Sequence, residues 1–579
     1  MTTAVLVLVI SFIILLALNV PVAFCMGIST LLAMLTIPEF PASVAVAHNI
    51  ATGIDSFALL AIPFFILSGL FMGHGGIARR LIDFANVLVG GFRGGLAFVN
   101  ILTCMLFGAI SGSAAAAVSS VGGFMIPLMN KMGYHRDFNA AVTITAATTG
   151  LLIPPSNVMI VYSLATGGAV SIAAIFIAGV IPGILVGLAL MLVAGLISAK
   201  QKYGLETEAG FIRGLVALAK AAPAILVLTA ICFAAYWLYC FARYAYDVPQ
   251  RDLIGTMSLL LAIAATSTTA IFLHDRTRKS GQEGYAHLAR ILPLLIIMFF
   301  VFLFAFAGLG GMLTHTFYAF LNVGLLRGLI DLGLLSVVLI AIALSSWLYI
   351  KYESARCAVH AILPLLLIVI VLGGILGGIF TATEASAVAV LYSFILAVFV
   401  YREVKLAAIP QILLQCGVTT SVVFLLIGTS MAMSWFLASE SIPQNISAGL
   451  LTLTDNKIML LLIINALLLI VGCFMDMTPA VLIFTPIFLP VVTPLFPDMP
   501  AQYTALYFGI IMIMNLCIGL CTPPVGTCLF LGCGIAQTSV TNVMRHIFPF
   551  FIAMVAVLLL CTYIPWLSLA LPEAVGLLK

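Results

Sequence analysis

The chain has 579 residues, of which 64% are hydrophobic and only 7% are charged. Soluble domains carry about 25% charged residues, so this composition indicates a protein that lies almost entirely in a membrane. The net charge of +4 is too small to suggest nucleic acid binding. The chain has no P-loop, HExxH or GxSxG motif, so neither ATP as an energy source nor the commonest hydrolase chemistries find support.

The first half begins with apolar runs of membrane-spanning character. Residues 3–18 and 20–37 are either two short spans or one kinked helix, and residues 55–73 form the next span. Residues 76–89 place apolar side chains at three- and four-residue spacing, which predicts an amphipathic helix at the membrane surface.

Residues 95–130 are apolar except for a central run of small residues that begins Ser111-Gly112-Ser113. Small residues are typical of closely packed helices. They also suit a re-entrant hairpin whose tip lets the backbone approach an ion. This stretch alone leaves both interpretations open.

Two long apolar segments each carry a Pro-Pro pair four residues after a glycine. Proline has no N–H, so Pro154 and Pro155 leave the carbonyls of Gly150 and Leu151 without helical partners. The second pair is expected to free the carbonyls of Gly519 and Leu520 in the same way. In hydrocarbon an unpaired carbonyl costs several kcal/mol, so such breaks should line an enclosed or wet cavity. Two matched breaks therefore predict the binding site of a secondary transporter.

The two halves repeat one layout. Residues 108–127 match residues 472–490, at nearly the same offset as the two Pro-Pro breaks, which favours duplication. An odd number of spans in each half implies inversion, and most of the 23 basic residues then fall on one side, which is expected to be cytoplasmic.

We therefore predict an all-α polytopic membrane protein with two inverted repeats, each with a re-entrant helical hairpin and a Pro-Pro-broken helix. The repeats cover residues 1–200 and 356–579. Residues 201–355 are interpreted as an inserted four-helix segment, which gives about 14 spans in total.

Small polar residues surround both breaks. Carbonyl and hydroxyl oxygens there suit a hard cation such as Na⁺, and the helices that begin after the prolines point positive N-termini at the same place, which suits a carboxylate. The alternative is that the hydroxyls only bond back onto helix carbonyls around a kink. Because the pattern occurs twice, it favours a site.

Two acids lie deep in the apolar sequence, Glu384 and Asp476. A carboxylate at membrane depth is usually functional, but both could instead cap broken helices, so both roles stay open. The 12 cysteines form no CxxC pair. The densest group has no histidine nearby and favours buried thiols over a metal site; it consists of Cys517, Cys521, Cys528 and Cys533.

Several motifs together resemble the large membrane subunit of TRAP transporters, of the DctM type. They are Leu-Leu-Ile-Pro-Pro-Ser-Asn (151–157), Gly-Ile-Phe-Thr-Ala-Thr-Glu-Ala-Ser (378–386), Gly-Cys-Phe-Met-Asp-Met-Thr-Pro-Ala (472–480), Gly-Leu-Cys-Thr-Pro-Pro-Val-Gly (519–526) and the segments 59–69 and 76–81. The resemblance covers about residues 1–200 and 360–570, and no counterpart of residues 201–355 is recognised. Ala382 stands where the family usually has proline.

The resemblance implies a Na⁺-coupled importer of a small organic acid in the bacterial cytoplasmic (inner) membrane, and not an enzyme. It implies an elevator mechanism, an extracytoplasmic substrate-binding protein and a small membrane subunit that residues 201–355 could partly replace. Na⁺ would be the coupling ion, with no other cofactor or metal.

Site residues follow from the same resemblance. It implies a first Na⁺ site at Ser111, Ser113, Gly150, Ile153 and Pro155, and a second at Gly472, Gly519, Thr522 and Val525. The substrate-binding candidates are Thr149, Ser156, Asn157, Asp476 and Thr527.

Two other functions are weighed against this one. An ion-coupled anion symporter of related architecture would take its substrate without a binding protein. An intramembrane enzyme would need a nucleophile–base pair or metal ligands at depth. The histidines weighed for that role fall in or next to loops, which disfavours it; they are His135, His274, His287, His360 and His546.

Overall fold

The computed structural model describes residues 3–18, 20–37, 41–92, 94–201, 203, 353–376, 378–453, 456–523 and 526–578. This part of the chain contains helices and no strand, and eight of its helices are long and apolar enough to cross a membrane. The predicted all-α membrane fold is confirmed. The four spans predicted within residues 221–350 lie outside the described residues.

The described helices of the first repeat are α1 (Thr3–Ala17), α2 (Val22–Met34), α3 (Ala42–Ile54), α4 (Ala61–His74, after a 3-10 turn at Phe57–Leu60), α5 (Ile77–Val89), α6 (Gly95–Ser111), α7 (Ala114–Lys131), α8 (Arg136–Thr149), α9 (Asn157–Ala165) and α10 (Ile172–Lys200). Those of the second part are α11 (Glu353–Leu376), α12 (Ala382–Phe394, continued by a π-helical turn at Ile395–Val400), α13 (Ile409–Ser439), α14 (Ile442–Leu453), α15 (Lys457–Phe474), α16 (Met477–Val492), α17 (Ala501–Gly519), α18 (Thr527–Ala536), α19 (Val540–Tyr563) and α20 (Trp566–Ala574).

The first two apolar runs form two helices and not one kinked helix. Helix α1 ends at Ala17 and α2 begins at Val22, directly after Pro21, whose fixed φ suits a helix start. Helix α3 was not among the predicted elements, because His48 and Asn49 interrupt its apolar pattern. It packs along α13, where a Cβ atom built on Gly53 would lie 2.8 Å from the Met431 side chain.

The amphipathic helix predicted at residues 76–89 is confirmed as α5. Its apolar face, which includes Leu81 and Phe84, is buried and packs against α6 and α7. Its first turn is tied to the end of α12. The Arg80 guanidinium donates to the Gly76 carbonyl at 2.8 Å, lies 3.7 Å from the Tyr401 ring centroid and lies 3.7 Å from the Glu403 carboxylate. Helix α5 therefore joins α12 to the first hairpin.

Glu384 is a capping residue. Its carboxylate accepts from the Thr381 backbone N–H at 2.8 Å, and the Thr381 hydroxyl accepts from the Glu384 N–H at 3.3 Å. This reciprocal capping box starts α12. Of the two roles left open for Glu384, the structure supports the structural one.

Thr381→Ala is expected to lower the free energy of unfolding by about 1 kcal/mol, because the side chain that caps the first turn of α12 is lost. Thermal unfolding of the detergent-solubilised protein measures the change. Thr419→Val is the control, since the Thr419 hydroxyl is exposed and only bonds back to the Gln415 carbonyl at 2.9 Å. Equal melting temperatures for the two variants would contradict the capping role.

The two repeats interlock around the breaks. The buried Tyr162 hydroxyl of α9 donates to the Ala505 carbonyl of α17 at 2.6 Å, and Gly509 leaves room for its ring. At the N-terminal end of α8, away from the break, the Thr538 hydroxyl donates to the Asp137 carboxylate. These contacts join the breaks of both repeats into one body.

Candidate ion and substrate site

Each hairpin meets its broken helix at a pair of glycines. The ideal Cβ position of Gly108 in α6 is 2.6 Å from the Gly150 Cα atom, and that of Gly472 in α15 is 3.1 Å from the Gly519 Cα atom. No side chain fits at these crossings, so the backbones touch. The predicted correspondence of residues 108 and 472, and of 150 and 519, is thus reproduced in three dimensions.

The chain between α6 and α7 reverses at Ser111-Gly112-Ser113, so the small residues form a hairpin tip. Gly112 has a left-handed φ of +62°, which favours glycine. Ser113 caps α7 by accepting from the Ala116 N–H at 3.3 Å. The tip faces the first break, since the Gly112 Cβ position is 3.3 Å from the Pro155 carbonyl oxygen and 3.4 Å from the Asn157 amide nitrogen.

The first break runs from Gly150 to Ser156, between α8 and α9. The carbonyls of Gly150 and Leu151 accept no hydrogen bond from any described residue, as predicted from the two prolines. Helix α10 supports the other side of the break, where the Cβ position of Gly183 lies 2.8 Å from Ile153. Unpaired carbonyl oxygens are therefore available at the break that crosses the first hairpin at Gly108.

Most of the threonines around the breaks bond back onto helix carbonyls. The hydroxyls of Thr145, Thr148 and Thr149 donate to the carbonyls of Ala141, Thr145 and Ala146 at 2.8, 2.9 and 2.6 Å. For these side chains the structure shows the local bonding that was the alternative to a site. Thr149 also lines a void of about 10 Å³ between α8 and α17. Neither Ser156 nor Asn157 lines this void.

Ser156 and Asn157 behave differently. The Ser156 side chain is fully buried, yet its Oγ atom has no hydrogen-bond partner, and neither has Asn157 Oδ1. Ser156 occupies the N-cap position of α9 without capping it through its side chain. A buried polar atom without a partner costs about 1–3 kcal/mol. Five other buried side-chain atoms of described residues lack a partner too, but these two stand at the start of α9, where Asn157 faces the hairpin tip.

The second break differs from the first in its free oxygens. The Gly519 carbonyl was expected to be free, but it accepts from the Thr522 N–H at 3.0 Å and from the Thr522 hydroxyl at 2.8 Å. The Cys473 thiol of the second hairpin donates to Thr522 Oγ1 at 3.3 Å. Thr522 is therefore the residue that links hairpin and break. Val525 lies outside the described residues.

Asp476 lies at the tip of the second hairpin, where it precedes α16 without capping it through its side chain. Asp476 stands directly before the first residue of α16, and a carboxylate is favoured at the positive end of a helix. Thr527 is the first residue of α18, after the second break.

Three buried asparagines brace the hairpins, and two of them, Asn100 and Asn465, were not among the predicted residues. Asn100 of α6 donates to the Thr143 hydroxyl of α8 at 2.7 Å. Asn515 of α17 donates to the Asn465 side chain of α15 at 2.6 Å. Asn100 and Asn465 stand at similar distances before the crossing glycines of the two hairpins, a signal that comparison of the halves could have found. Their amides hold each hairpin arm against its broken helix.

The group of cysteines predicted to be buried thiols is buried. Cys517, Cys521, Cys528 and Cys533 are at most 5% exposed. The Cys521 thiol donates to the Ile144 carbonyl across the two repeats at 3.6 Å. These thiols fill space between the two breaks.

Comparison with known proteins places this geometry in a family. Residues 9–246 and 286–567 match the model of the tripartite ATP-independent periplasmic (TRAP) transporter DctM component. The match enters the 201–355 segment from both sides, so parts of that segment have a counterpart in the family model.

Relatives align over nearly the whole chain. An uncharacterized protein of Salmonella typhimurium, YgiK, is 38% identical over 97% of this chain and 95% of its own length. The C4-dicarboxylate TRAP transporter large permease protein DctM of Pseudomonas aeruginosa is 34% identical over 90% of this chain and 88% of its own.

A third relative differs in length. The isethionate TRAP transporter permease protein DctMQ of Oleidesulfovibrio alaskensis is 30% identical over 95% of this chain and 63% of its own length. The matches to transporter permeases, together with the apolar helices, identify a multi-pass membrane transporter component and not an enzyme. The chain belongs to the DctM family of TRAP transporter large permeases.

Proposed function

We propose that this chain imports a small organic acid together with Na⁺, as the large permease subunit of a binding-protein-dependent TRAP transporter. The observation that carries the proposal is the pair of unpartnered polar atoms on Ser156 and Asn157. They lie at the start of α9, where Asn157 is beside the first hairpin tip, and they follow the unpaired carbonyls of Gly150 and Leu151 along the chain.

The two kinds of group suit two kinds of ligand. Unpaired carbonyls, together with the hydroxyls of Ser111 and Ser113, offer an all-oxygen set, which hard cations prefer. The Ser156 hydroxyl and the N-terminal amides of α9 suit a carboxylate. A cation and an anion held side by side stabilise each other, so each would raise the affinity for the other. This supports coupled transport.

The helix packing supports an elevator mechanism. Helix α13 packs against α2, α3 and α4, and α4 packs against α12, which makes a frame. The hairpins and breaks form the interlocked body described above. Helices α5 and α14 lie in the chain between frame and body, and are the connections that would flex if the body moves.

Partners follow from the relatives. We propose that an extracytoplasmic binding protein delivers the acid, and that a small membrane subunit completes the permease. The DctMQ relative is longer than this chain, and its name combines DctM with a second component, Q, as expected if a further permease subunit is fused to the large one in that protein. The experiment that tests the function is uptake into proteoliposomes under an imposed Na⁺ gradient, with and without the candidate binding protein. Uptake that needs no binding protein would favour the anion symporter instead.

Thr522→Val is expected to raise the Na⁺ concentration for half-maximal uptake about tenfold, which corresponds to about 1.4 kcal/mol for the loss of one oxygen ligand. Valine keeps the shape of the side chain, so the fold should persist. The measurement is uptake as a function of Na⁺ concentration, with Thr419→Val on α13 as the control. An unchanged Na⁺ dependence would remove Thr522 from the ion site.

A further inference from the structure

A larger cavity lies at the end of α9 that is remote from the break. Its volume is about 410 Å³, which is within the range of small-molecule sites. Helix α9 has nine residues, so this cavity is about 13 Å from Ser156 along the helix axis. The distribution of basic residues predicts that this end of α9 is extracytoplasmic. We refer to it as the outer cavity.

The outer cavity has walls from both the frame and the interlocked body. The frame contributes the end of α3, the turn after it, and α13. The body contributes the α9–α10 turn and α16. The lining includes Ser56, Met431, Ser163, Ser171 and Leu482. A ligand in this cavity would contact both parts, so its occupancy must change when one part moves against the other.

The polar lining consists of hydroxyl groups with hydrogen-bonding capacity left over. Ser163 donates to the Val170 carbonyl at 2.6 Å and keeps its lone pairs. Ser171 accepts from the Ala174 N–H at 3.0 Å and keeps its hydrogen. None of the described residues that line the outer cavity is charged. Hydroxyl groups of a ligand can therefore be bonded there, whereas each carboxylate that enters loses hydration without gaining a cation, so that two carboxylates cost more than one.

We propose that the outer cavity is a loading site for a hydroxylated monocarboxylic acid of the sugar-acid class, occupied before the acid reaches Ser156. This proposal rests on the proposed function and names its substrate class. The apolar wall around Met431 and Leu482 covers the carbon chain, and the hydroxyl-bearing wall binds its polar face. A simple dicarboxylate would bind more weakly, because the cavity offers no partner for its second charge.

The test follows the reaction of an introduced thiol with an impermeant, anionic methanethiosulfonate reagent added from outside. Ser56→Cys places the thiol in the outer cavity with almost no change in shape. His48→Cys, on the exposed face of α3, is the control. Both variants also carry Cys473→Ser, which removes the partly exposed native thiol among the described residues. D-gluconate is the sugar-acid probe and succinate the dicarboxylate, without binding protein. Each measurement is repeated with Ser156→Val, which should stop uptake.

D-gluconate, at twice its dissociation constant for the outer cavity, should slow the reaction of the Ser56→Cys thiol with the methanethiosulfonate reagent about threefold. It should leave the His48→Cys control unaffected, and succinate should do much less in either variant. The slowing should persist with Ser156→Val. No slowing, equal slowing in both variants, or no reaction of the Ser56→Cys thiol even without ligand would overturn the loading site. Loss of slowing with Ser156→Val would also overturn it, since the effect would then arise at the break.

The proposed function fails separately, if the proteoliposomes show no Na⁺-driven uptake.

Discussion

Gly150→Ala is expected to reduce Na⁺-driven uptake by about tenfold or more, because ion and substrate sites tolerate displacements of only about 0.5 Å. A Cβ atom at Gly150 would collide with the Cα atom of Gly108 and lie 2.9 Å from its carbonyl carbon. Both are backbone atoms, which cannot rotate away. The hairpin must therefore move off the broken helix, and with it the tip that faces Pro155 and Asn157.

Gly519→Ala makes the same change in the second repeat, where the Cβ atom would be 2.5 Å from the carbonyl oxygen of Gly472. Gly123→Ala in α7 and Gly534→Ala in α18 are matched controls, since among the described residues a Cβ atom at either position meets nothing within 4 Å apart from its own stretch of helix. Uptake and the amount of folded protein are measured for all four. If Gly150→Ala transports as well as Gly123→Ala, the close crossing is not needed for the site.

Gly509→Ala is expected to lower the free energy of unfolding by about 1–3 kcal/mol, the usual cost of overpacking a core. The added methyl group would lie 2.7 Å from Cζ of Tyr162, whose ring is fully buried and cannot move aside without a cost. Displacing the ring would also break the bond from its hydroxyl to Ala505. Thermal unfolding in detergent gives the change.

A double variant makes this second prediction specific. Tyr162→Leu shortens the side chain, so Gly509→Ala should cost less in that background than in the parent protein, a coupling that a double-mutant cycle measures. Gly417→Ala in α13 is the control, because its Cβ atom would meet no atom of another described segment within 4 Å. Additive effects of the two substitutions would mean that Tyr162 and Gly509 do not share this contact.

The breaks and hairpins were predictable because their causes are local. A Pro-Pro pair removes two backbone donors wherever it stands, so the gap between α8 and α9 follows from Pro154 and Pro155 alone. The duplicated layout then placed Gly472 against Gly519. The amphipathic pattern of α5 is equally local, since the exposed Arg79 and Asp83 and the buried Leu81 recur at helical spacing.

What sequence reasoning missed depends on contacts between distant residues. Whether a carbonyl at a break stays free depends on the residues of the next turn. At the second break, the Thr522 hydroxyl donates a hydrogen bond to the Gly519 carbonyl. Nothing local distinguishes the hydroxyl of Thr149, which bonds back to its own helix, from that of Ser156, which finds no partner. Tyr162 meets Gly509 only because two repeats pack together, and no spacing within either repeat encodes that.

The long-range pairing of the two repeats has a consequence for biosynthesis. Tyr162 and its acceptor Ala505 are 343 residues apart, and Asp137 and Thr538 are 401 residues apart. At 5–20 residues per second, the ribosome needs about 17–80 s to supply the later partners. Throughout that interval the nascent first half must remain in the bilayer with half of each contact unmade. The Tyr162 hydroxyl of α9 and the Asp137 carboxylate of α8 must find temporary partners in water, lipid headgroups or the insertion machinery until the last helices are made.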